Sequence, residues 1–158
     1  MEEFGIMDSR SKKGIPVKEG LWTTPDAHDS KSHLLANRCQ RCGEFFFPRQ
    51  QICINCQCED LEDVKLSRKG KIYSHTVVMQ RPPIWYRGSV PYAIGYVELP
   101  EGIRLETQFT DCDIEALEIG MDVELVIEKL HRDDEGNDVV TYKFRPIIES
   151  SETGSSIQ

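Results

Sequence analysis

The sequence has 158 residues, a formal net charge of −8, a charged fraction of 29% and a pI of about 5.0, which fits one ordinary domain or two very small ones. This acidic balance argues against a general nucleic-acid-binding protein, because such proteins usually carry an excess of positive charge. The sequence contains no run of 18 apolar residues that could span a membrane, and its first 20 residues lack the apolar core of a secretory signal. We therefore expect a cytoplasmic protein that works in a reducing compartment.

Residues 1–33 are predicted to form an N-terminal arm. Glycine and proline residues around Pro16 discourage regular structure, so the start of the arm is either disordered or an extended strap that becomes ordered on a partner. Thr24 as an N-cap, followed by Pro25 in the first turn, predicts a short helix over residues 25–32.

Two Cys-x-x-Cys pairs, separated by ten residues, are the clearest motif in the chain: Cys39 with Cys42, and Cys53 with Cys56. Each pair can form a knuckle whose thiolates point at one centre, and two facing knuckles supply the four sulfur ligands of a tetrahedral Zn²⁺. Four protein ligands leave no position for water, so the predicted zinc is structural and its binding energy is folding energy. Three consecutive phenylalanines, Phe45–Phe47, lie between the pairs, and at least one should pack on a neighbouring domain or a partner.

Other residues could take part in the metal site. Cys58 could pair with Cys53 in place of Cys56, although the two-residue spacing has the better geometry. His28 and His33 are further candidates, but four cysteines already complete the ligand set, so we interpret these histidines as exposed or capping residues. Disulfide bonds are the alternative that a secreted protein would favour.

Beyond residue 60 the hydrophobic period changes to two, which is typical of half-buried strands. The pattern predicts strands over residues 71–79, 92–99, 103–109, 121–127 and 140–146, with one helical turn over 113–118. Five strands with this turn fit a small Greek-key barrel of the OB type, while an SH3-like barrel or a small sandwich agrees with the strand count alone. The predicted fold is mainly β: an arm with a short helix (1–33), a rubredoxin-like zinc ribbon (34–60), a five-stranded OB-fold barrel (61–147) and a polar tail (148–158).

The charges are unevenly distributed along the barrel. Residues 64–97 contain six basic residues and no acid, whereas residues 98–138 contain fourteen acids and three basic residues. This pattern indicates either a solvated surface of uneven composition or an anion site for a phosphate-bearing small molecule or an acidic partner surface.

The stretch from residue 80 to 91 is long for a hairpin loop, and long ordered loops are often functional. It contains Arg81, Trp85, Tyr86 and Arg87, side chains that suit stacking on a planar ring and contact with phosphate. The alternative is that Trp85 caps one end of the barrel.

Several ordered motifs extend over residues 34–147. They are Cys-x-x-Cys-Gly at residues 39–43, Pro48-Arg49, the second cysteine pair, Gly70-Lys71-Ile72-Tyr73-Ser74-His75-Thr76-Val77-Val78, Pro91-Tyr92, Leu99-Pro100-Glu101-Gly102, Ile119-Gly120-Met121 with Val123, and Phe144-Arg145-Pro146. This ordered set resembles the zinc-ribbon/OB-fold family of acyl-CoA-associated proteins. One departure is Ile54, where the family commonly has proline, and it should make the second knuckle less stiff without removing a ligand.

The resemblance implies a non-catalytic subunit of a hetero-oligomer, paired with a thiolase-fold catalytic subunit, a thiolase-like aldolase or a hydratase that acts on acyl-CoA. The ribbon would dock on the catalytic subunit, and ribbon and barrel would help to hold the CoA thioester. On this interpretation Arg81, Arg87 and Arg49 contact CoA phosphates, and Trp85 or Tyr86 stacks on adenine.

The residues agree with a non-catalytic role, because no nucleophile elbow, phosphate-binding glycine loop or paired-histidine helix occurs in the sequence. Cys58 and Cys112 are thiols outside the ligand set, and an inert thiol is the simpler interpretation of each. His75, within a predicted strand, is interpreted as a barrel histidine with satisfied hydrogen bonds. We predict no catalytic residue.

A single-stranded nucleic-acid module is the alternative of a different class, because zinc ribbons and OB barrels both serve that purpose. The basic stretch and its aromatic neighbours permit this function, while the net acidity of the chain weighs against it.

Overall fold

The computed structural model describes residues 14–81, 83–84 and 88–148. Within these residues the chain forms a small three-stranded sheet, a closed barrel, and one short strand added to the barrel. The elements are β1 (Ile15–Pro16), β2 (Leu35–Cys39), β3 (Phe45–Phe46), β4 (Leu61–Lys65), β5 (Lys69–Val78), β6 (Tyr92–Glu98), β7 (Arg104–Phe109), a 3₁₀ helix (Ile114–Ala116), β8 (Asp122–Arg132) and β9 (Asp138–Pro146). The described residues include no helix with the length and apolar character needed to cross a bilayer.

Strands β5 to β9 close into a barrel. β5, β6 and β7 form an antiparallel meander, β8 pairs antiparallel with the start of β5 and with β9, and β9 meets β7 in parallel at Phe109 and Phe144. A bulge between Ile72 and Ser74 interrupts the pairing of β5 with β6, and the first residues of β5, Lys69 to Lys71, pair with β8. This topology confirms the predicted OB-type barrel over the SH3-like and sandwich alternatives.

The barrel core follows the predicted alternation. In β7, Leu105, Thr107 and Phe109 are buried. Arg104, which precedes them, and Glu106, which lies between the first two, are exposed. Apolar side chains at alternate positions therefore point to one side of each strand, as the period of two requires.

Gly95 in β6 shows the close backbone approach that a glycine within a strand indicates. A Cβ atom at this position would clash with the carbonyl oxygen of Ser74 on β5. The absence of a side chain is therefore what lets β5 and β6 pair closely past the β5 bulge.

The ribbon and the barrel share one hydrophobic core. Leu34, Ala36 and Leu66 from the ribbon side are fully buried in the same cluster as the barrel residues. The ring of Phe47 also meets the barrel ring of Tyr142 edge to face. This contact confirms that one of the three phenylalanines packs on the neighbouring domain.

The described part of the arm is an extended strap. Ile15 and Pro16 pair in parallel with Val139 and Val140 of β9, and the amide of Val17 donates to the carbonyl oxygen of Val140 at 2.8 Å. Further along the strap, a buried leucine at position 21 accepts a backbone hydrogen bond from the start of β2. The strap is therefore ordered on the chain's own barrel, while residues 1–13 lie outside the described residues.

The predicted helix over residues 25–32 is wrong. The carboxylate of Asp26 accepts hydrogen bonds from the amides of His28 and Asp29, both at 2.8 Å, and the Asp26 amide donates to the Asp29 carbonyl oxygen. This local turn satisfies the backbone groups that a helix would have used, which is the usual way in which aspartate competes with helix formation. Nε2 of His33 then lies 3.0 Å from the Asp29 carboxylate, remote from the cysteines.

The predicted helical turn over 113–118 is confirmed as a 3₁₀ helix. Asp113 caps it by accepting a hydrogen bond from the Glu115 amide at 3.0 Å. Gly120 follows with a φ of +88°, a conformation that favours glycine, and leads the chain into β8. The predicted polar tail lies outside the described residues, apart from residue 148.

Candidate metal centre and loop residues

The structure brings the four predicted cysteines together. The Sγ atoms of Cys39, Cys42, Cys53 and Cys56 all lie within 4.8 Å of one another, and the Cys39–Cys56 and Cys42–Cys53 Sγ atoms are each 3.5 Å apart. A tetrahedral zinc with Zn–S bonds of about 2.3 Å would place its sulfurs about 3.8 Å apart. The four sulfurs therefore fit a closed tetrahedral metal site.

Two tight turns hold the sulfurs in place. In the first, which links β2 to β3, the amides of Arg41 and Cys42 donate to Cys39 Sγ at 3.4 and 3.5 Å. Gly43 and Gln57 follow the two pairs with φ values of +78° and +60°. The first knuckle thus has glycine at the left-handed position, whereas the second has glutamine there.

The sulfurs differ in acidity. The amides of Cys42 and Arg41 lower the pKa of the Cys39 thiol to about 6. The amide of Cys58 favours the thiolate of Cys56, but burial and the neighbouring sulfurs outweigh it and raise the pKa of Cys56 to about 12. A bound divalent cation would remove this competition, because it stabilises all four thiolates together.

Cys58 lies outside the four-sulfur group. Its sulfur accepts a hydrogen bond from the Asp60 amide at 3.4 Å. The structure therefore assembles the Cys53–Cys56 pair and not the alternative pair of Cys53 with Cys58. With four sulfurs facing one centre, the site has the ligand set of a structural metal and not of a catalytic one.

Of the three predicted phosphate-contacting arginines, the structure describes Arg49 and Arg81, and they lie in different places. Arg49 forms an ion pair with Asp63 at 2.7 Å and donates to the carbonyl oxygen of Gly20, so it connects the ribbon to the strap. Arg81 is exposed at the start of the loop after β5 and, among the described residues, is not part of the cavity that Arg49 lines. Trp85, Tyr86 and Arg87 lie outside the described residues.

The second knuckle presents apolar side chains to solvent. Ile54 is 72% exposed and Ile52 is 48% exposed, on either side of the fully buried Cys53. Ile54 is thus the most exposed of the large apolar side chains of the ribbon. We count this exposed pair as a candidate contact surface.

Sequence reasoning missed a second concave site, which we call the hairpin cleft. It has a volume of about 390 Å³ and lies between the end of the 80–91 loop, the end of β7 and the β8–β9 hairpin. Its lining includes Tyr92, Gln108, Thr110, Glu128, Leu130 and Lys143. A lysine within the apolar run of β9 was the available signal, but its cross-strand neighbours depend on a register that the sequence does not specify.

His75 differs from its prediction as a satisfied barrel histidine. Its Nδ1 atom is buried and has no hydrogen-bond partner among the described residues. His75 lies opposite Gly95 of β6 in the sheet, and glycine has no side chain that could offer a hydrogen bond.

A four-cysteine ribbon joined to an OB-fold barrel defines the structural class of this chain. A family model described as the C-terminal OB-fold domain of ChsH2 matches residues 63–128. A DUF35 domain-containing scaffold protein of Methanocaldococcus jannaschii is 40% identical over 116 residues, which are 72% of this chain and 82% of the relative. The chain therefore belongs to the DUF35 family.

Two further relatives come from named enzyme complexes. The benzoylsuccinyl-CoA thiolase subunit BbsA of Thauera aromatica is 34% identical over 122 residues, which are 73% of this chain and 77% of that subunit. A solved structure of the Ltp2–ChsH2(DUF35) aldolase contains a chain that is 30% identical, with a TM-score of 0.61, and the match covers 73% of this chain and 86% of that one.

Proposed function

We propose that this chain is a non-catalytic, zinc-containing accessory subunit of an acyl-CoA thiolase complex, in which it docks on the catalytic subunit and helps to hold the CoA thioester. The observation that carries the proposal is the identity of 34% with a thiolase subunit across 73% of this chain. The working form is a cytoplasmic hetero-oligomer with a thiolase-fold partner.

The thiols outside the metal group support a non-catalytic role. Cys112 is flanked by two acids, and burial together with the charges of Asp111 and Asp113 raises the pKa of its thiol. A thiol with a raised pKa is a poor nucleophile at neutral pH. The four-sulfur site leaves no ligand position for a substrate, so its metal would serve the fold.

Zinc is the metal that we assign to the four-sulfur site. Thiolate ligands in a tetrahedral arrangement favour zinc or an iron–sulfur centre, and a closed site with four cysteines is the usual structural zinc ligand set. The metal would fix the second knuckle and hold Ile52 and Ile54 outward, and we propose this exposed pair as part of the surface that docks on the catalytic subunit.

For the CoA thioester we keep the loop after β5 as the proposed phosphate-contacting segment, with Arg81, Arg87 and stacking by Trp85 or Tyr86. Arg49 would first have to exchange its ion pair with Asp63 for a phosphate, so we assign it a smaller part. The support for the loop is its composition and the exposure of Arg81.

The sequence resemblance also points to a particular complex, the benzylsuccinyl-CoA thiolase of anaerobic toluene degradation, with this chain as its small subunit; the name of the BbsA relative corrects the acyl group to benzoylsuccinyl. A thiolase cleaves a carbon–carbon bond beside a ketone, and the benzoylsuccinyl group in the name of the BbsA relative contains that ketone. Benzoylsuccinyl-CoA is therefore the acyl-CoA to test first.

An accessory role beside an aldolase or a hydratase is the second candidate, and the likeness to the Ltp2–ChsH2 aldolase favours the aldolase. A nucleic-acid role has less support. Glu98 and Glu106 lie on the solvent side of β6 and β7, the strands that carry the binding face of nucleic-acid OB folds. Their carboxylates would repel a phosphate backbone.

Co-expression with a thiolase catalytic subunit from the same organism tests the proposal. We expect co-purification at a fixed ratio and thiolase activity that depends on this chain. A chain that stays monomeric and leaves the activity unchanged would contradict the proposal, as would turnover of an acyl-CoA by this chain alone. Complex formation with an aldolase instead would select the second candidate.

A further inference from the structure

The side chain of Lys143 is largely buried in the hairpin cleft, and its ammonium group makes one long contact. Its side chain is 13% exposed, and its Nζ lies 3.5 Å from Glu128 Oε1, which is a long hydrogen bond. A lysine ammonium has three donor hydrogens, so two of them lack a side-chain or backbone acceptor among the described residues. Donors that face a cavity without a protein acceptor are available to a ligand that carries acceptors.

The neighbouring charges decide which ligand the cleft can accept. The two oxygens of the Glu128 carboxylate accept a hydrogen bond from the Thr110 hydroxyl, at 2.8 and 2.9 Å. Asp111 also lines the cleft. The charged side chains that line the cleft are all paired: Glu128 with Lys143, Asp111 with Arg145 and Lys129 with Asp138. Little positive charge is therefore left in the cleft for a phosphate or a second carboxylate. A neutral chain with amide groups fits better, because its carbonyl oxygen can accept from Lys143 while its N–H donates to Glu128.

The cleft continues along the barrel as an apolar groove. A second cavity of about 390 Å³ shares Tyr92, Gln108 and Leu130 with the hairpin cleft and adds Ile94 and Tyr142 to the wall. The combined groove thus has an apolar stretch at one end and a donor–acceptor pair at the other. This pattern matches an elongated molecule in which methylene groups alternate with amides.

We propose that the hairpin cleft binds the pantetheine arm of an acyl-CoA, with Lys143 donating to one of its amide carbonyl oxygens and Glu128 accepting from an amide N–H. The inference rests on the proposed function and names the part of the thioester that this chain holds. Phosphate recognition and pantetheine recognition are then separate: the cleft contacts the neutral arm, and the loop after β5, with Arg81, contacts the charged end.

Calorimetric titration of the full chain with three probes tests this division of roles. The probes are pantetheine, adenosine 3′,5′-bisphosphate and CoA, and the variant is Lys143→Met, which keeps the aliphatic stem and removes the ammonium. We expect the dissociation constant for pantetheine to rise about tenfold or more, as the loss of a hydrogen bond from a charged group predicts, and that for the bisphosphate to stay unchanged.

Lys71→Met is the matched control. It removes an exposed lysine whose ion pair with Asp122 lies at the other end of β8, so its affinity for all three probes should equal that of the unaltered chain. Leu130→Glu is a second test, because it adds a carboxylate to the groove and should weaken pantetheine binding while leaving Lys143 in place. Metal content and melting temperature check that each variant is folded.

Equal pantetheine affinity in Lys143→Met and the unaltered chain would overturn the proposal, as would a complete lack of pantetheine binding by the unaltered chain. Weaker assembly with the catalytic subunit at unchanged pantetheine affinity would also overturn it, and would indicate that a peptide segment of the partner fills the cleft. Failure of the subunit role itself would appear separately, as a chain that does not assemble with any thiolase.

Discussion

The rings of Phe47 and Tyr142 meet edge to face, with centroids 5.5 Å apart and planes at 81°, across the boundary between ribbon and barrel. Both rings pack against the cluster that fills the barrel. Because the two parts share this core, we expect them to unfold in one cooperative transition. A metal bound by the four cysteines would therefore stabilise the barrel as well as the ribbon.

Phe47→Ala should lower the free energy of unfolding by about 2–3 kcal/mol, somewhat less than the loss of a fully buried phenylalanine, because Phe47 is only partly buried. Phe46→Ala is the matched control, since Phe46 is also part-buried and is absent from the side chains packed on the core. Denaturant unfolding followed by far-ultraviolet circular dichroism measures both. Equal losses of unfolding free energy in the two variants would show that the contact between Phe47 and the barrel adds nothing to stability beyond that of another part-buried phenylalanine.

The metal prediction concerns Cys42, the exposed member of the four-sulfur group. The purified chain should contain one zinc. Cys42→Ala should lose the zinc and melt at a much lower temperature, because structural zinc contributes on the order of 10 kcal/mol to folding. Cys58→Ala should keep both the zinc and the melting temperature. Elemental analysis with a thermal melt decides the matter, and a metal-free parent chain with the same melting temperature would refute a structural zinc.

The docking prediction compares two isoleucines of equal exposure. Ile54 on the second knuckle and Ile119 before β8 are both 72% exposed. Ile54→Asp should weaken association with the catalytic subunit about tenfold or more, as the loss of a central apolar contact does, while Ile119→Asp should not. Association is measured by titration of the labelled chain with the catalytic subunit, and metal content confirms that the knuckle is intact. Should only Ile119→Asp weaken association, the docking surface lies elsewhere.

The stability of the β8–β9 hairpin should depend on pH through Asp138. Hydrogen bonds from Lys129 and Arg132, at 3.0 and 3.1 Å, hold the pKa of Asp138 below its ordinary value of 3.8. The carboxylate is favoured in the folded state, so its contribution is present above pH 3.8 and is lost as the pH falls through the lower, folded pKa.

In Asp138→Asn, the amide hydrogens of the hairpin should therefore exchange with solvent faster than in the parent at pH 6. This difference should disappear as the pH falls below 3.8. Glu118→Gln is a suitable control, because the Glu118 side chain has no ion pair among the described residues. Amide hydrogen exchange of β8 and β9 is the measurement. A difference that persists unchanged at low pH would mean that Asp138 acts through packing and not through its charge.

Much of the barrel could be predicted because its signals are local. The alternation in β7 follows from one face being buried, and Gly95 marks a close approach that any larger residue would block. The arm was harder, because the carboxylate of Asp26 competes with a helix in a way that the cap signal at Thr24 does not reveal.

The candidate site divides in the same way. The four cysteines form two local pairs, so the sequence is enough to predict that they meet. Lys143 and Glu128 meet through the register of β8 on β9, and Thr110 joins them from the end of β7. Such contacts depend on barrel closure, and a single sequence contains no direct signal of it.

The strap on β9 has a consequence for handling the protein. β9 pairs with β7 at a single position, and Ile15 and Pro16 cover part of the backbone edge that this leaves open. A chain shortened to begin after Gly20 would present that edge to solvent, where it can pair with the same edge of another molecule. Shortened versions should thus form aggregates during concentration and storage, even with their metal and barrel intact.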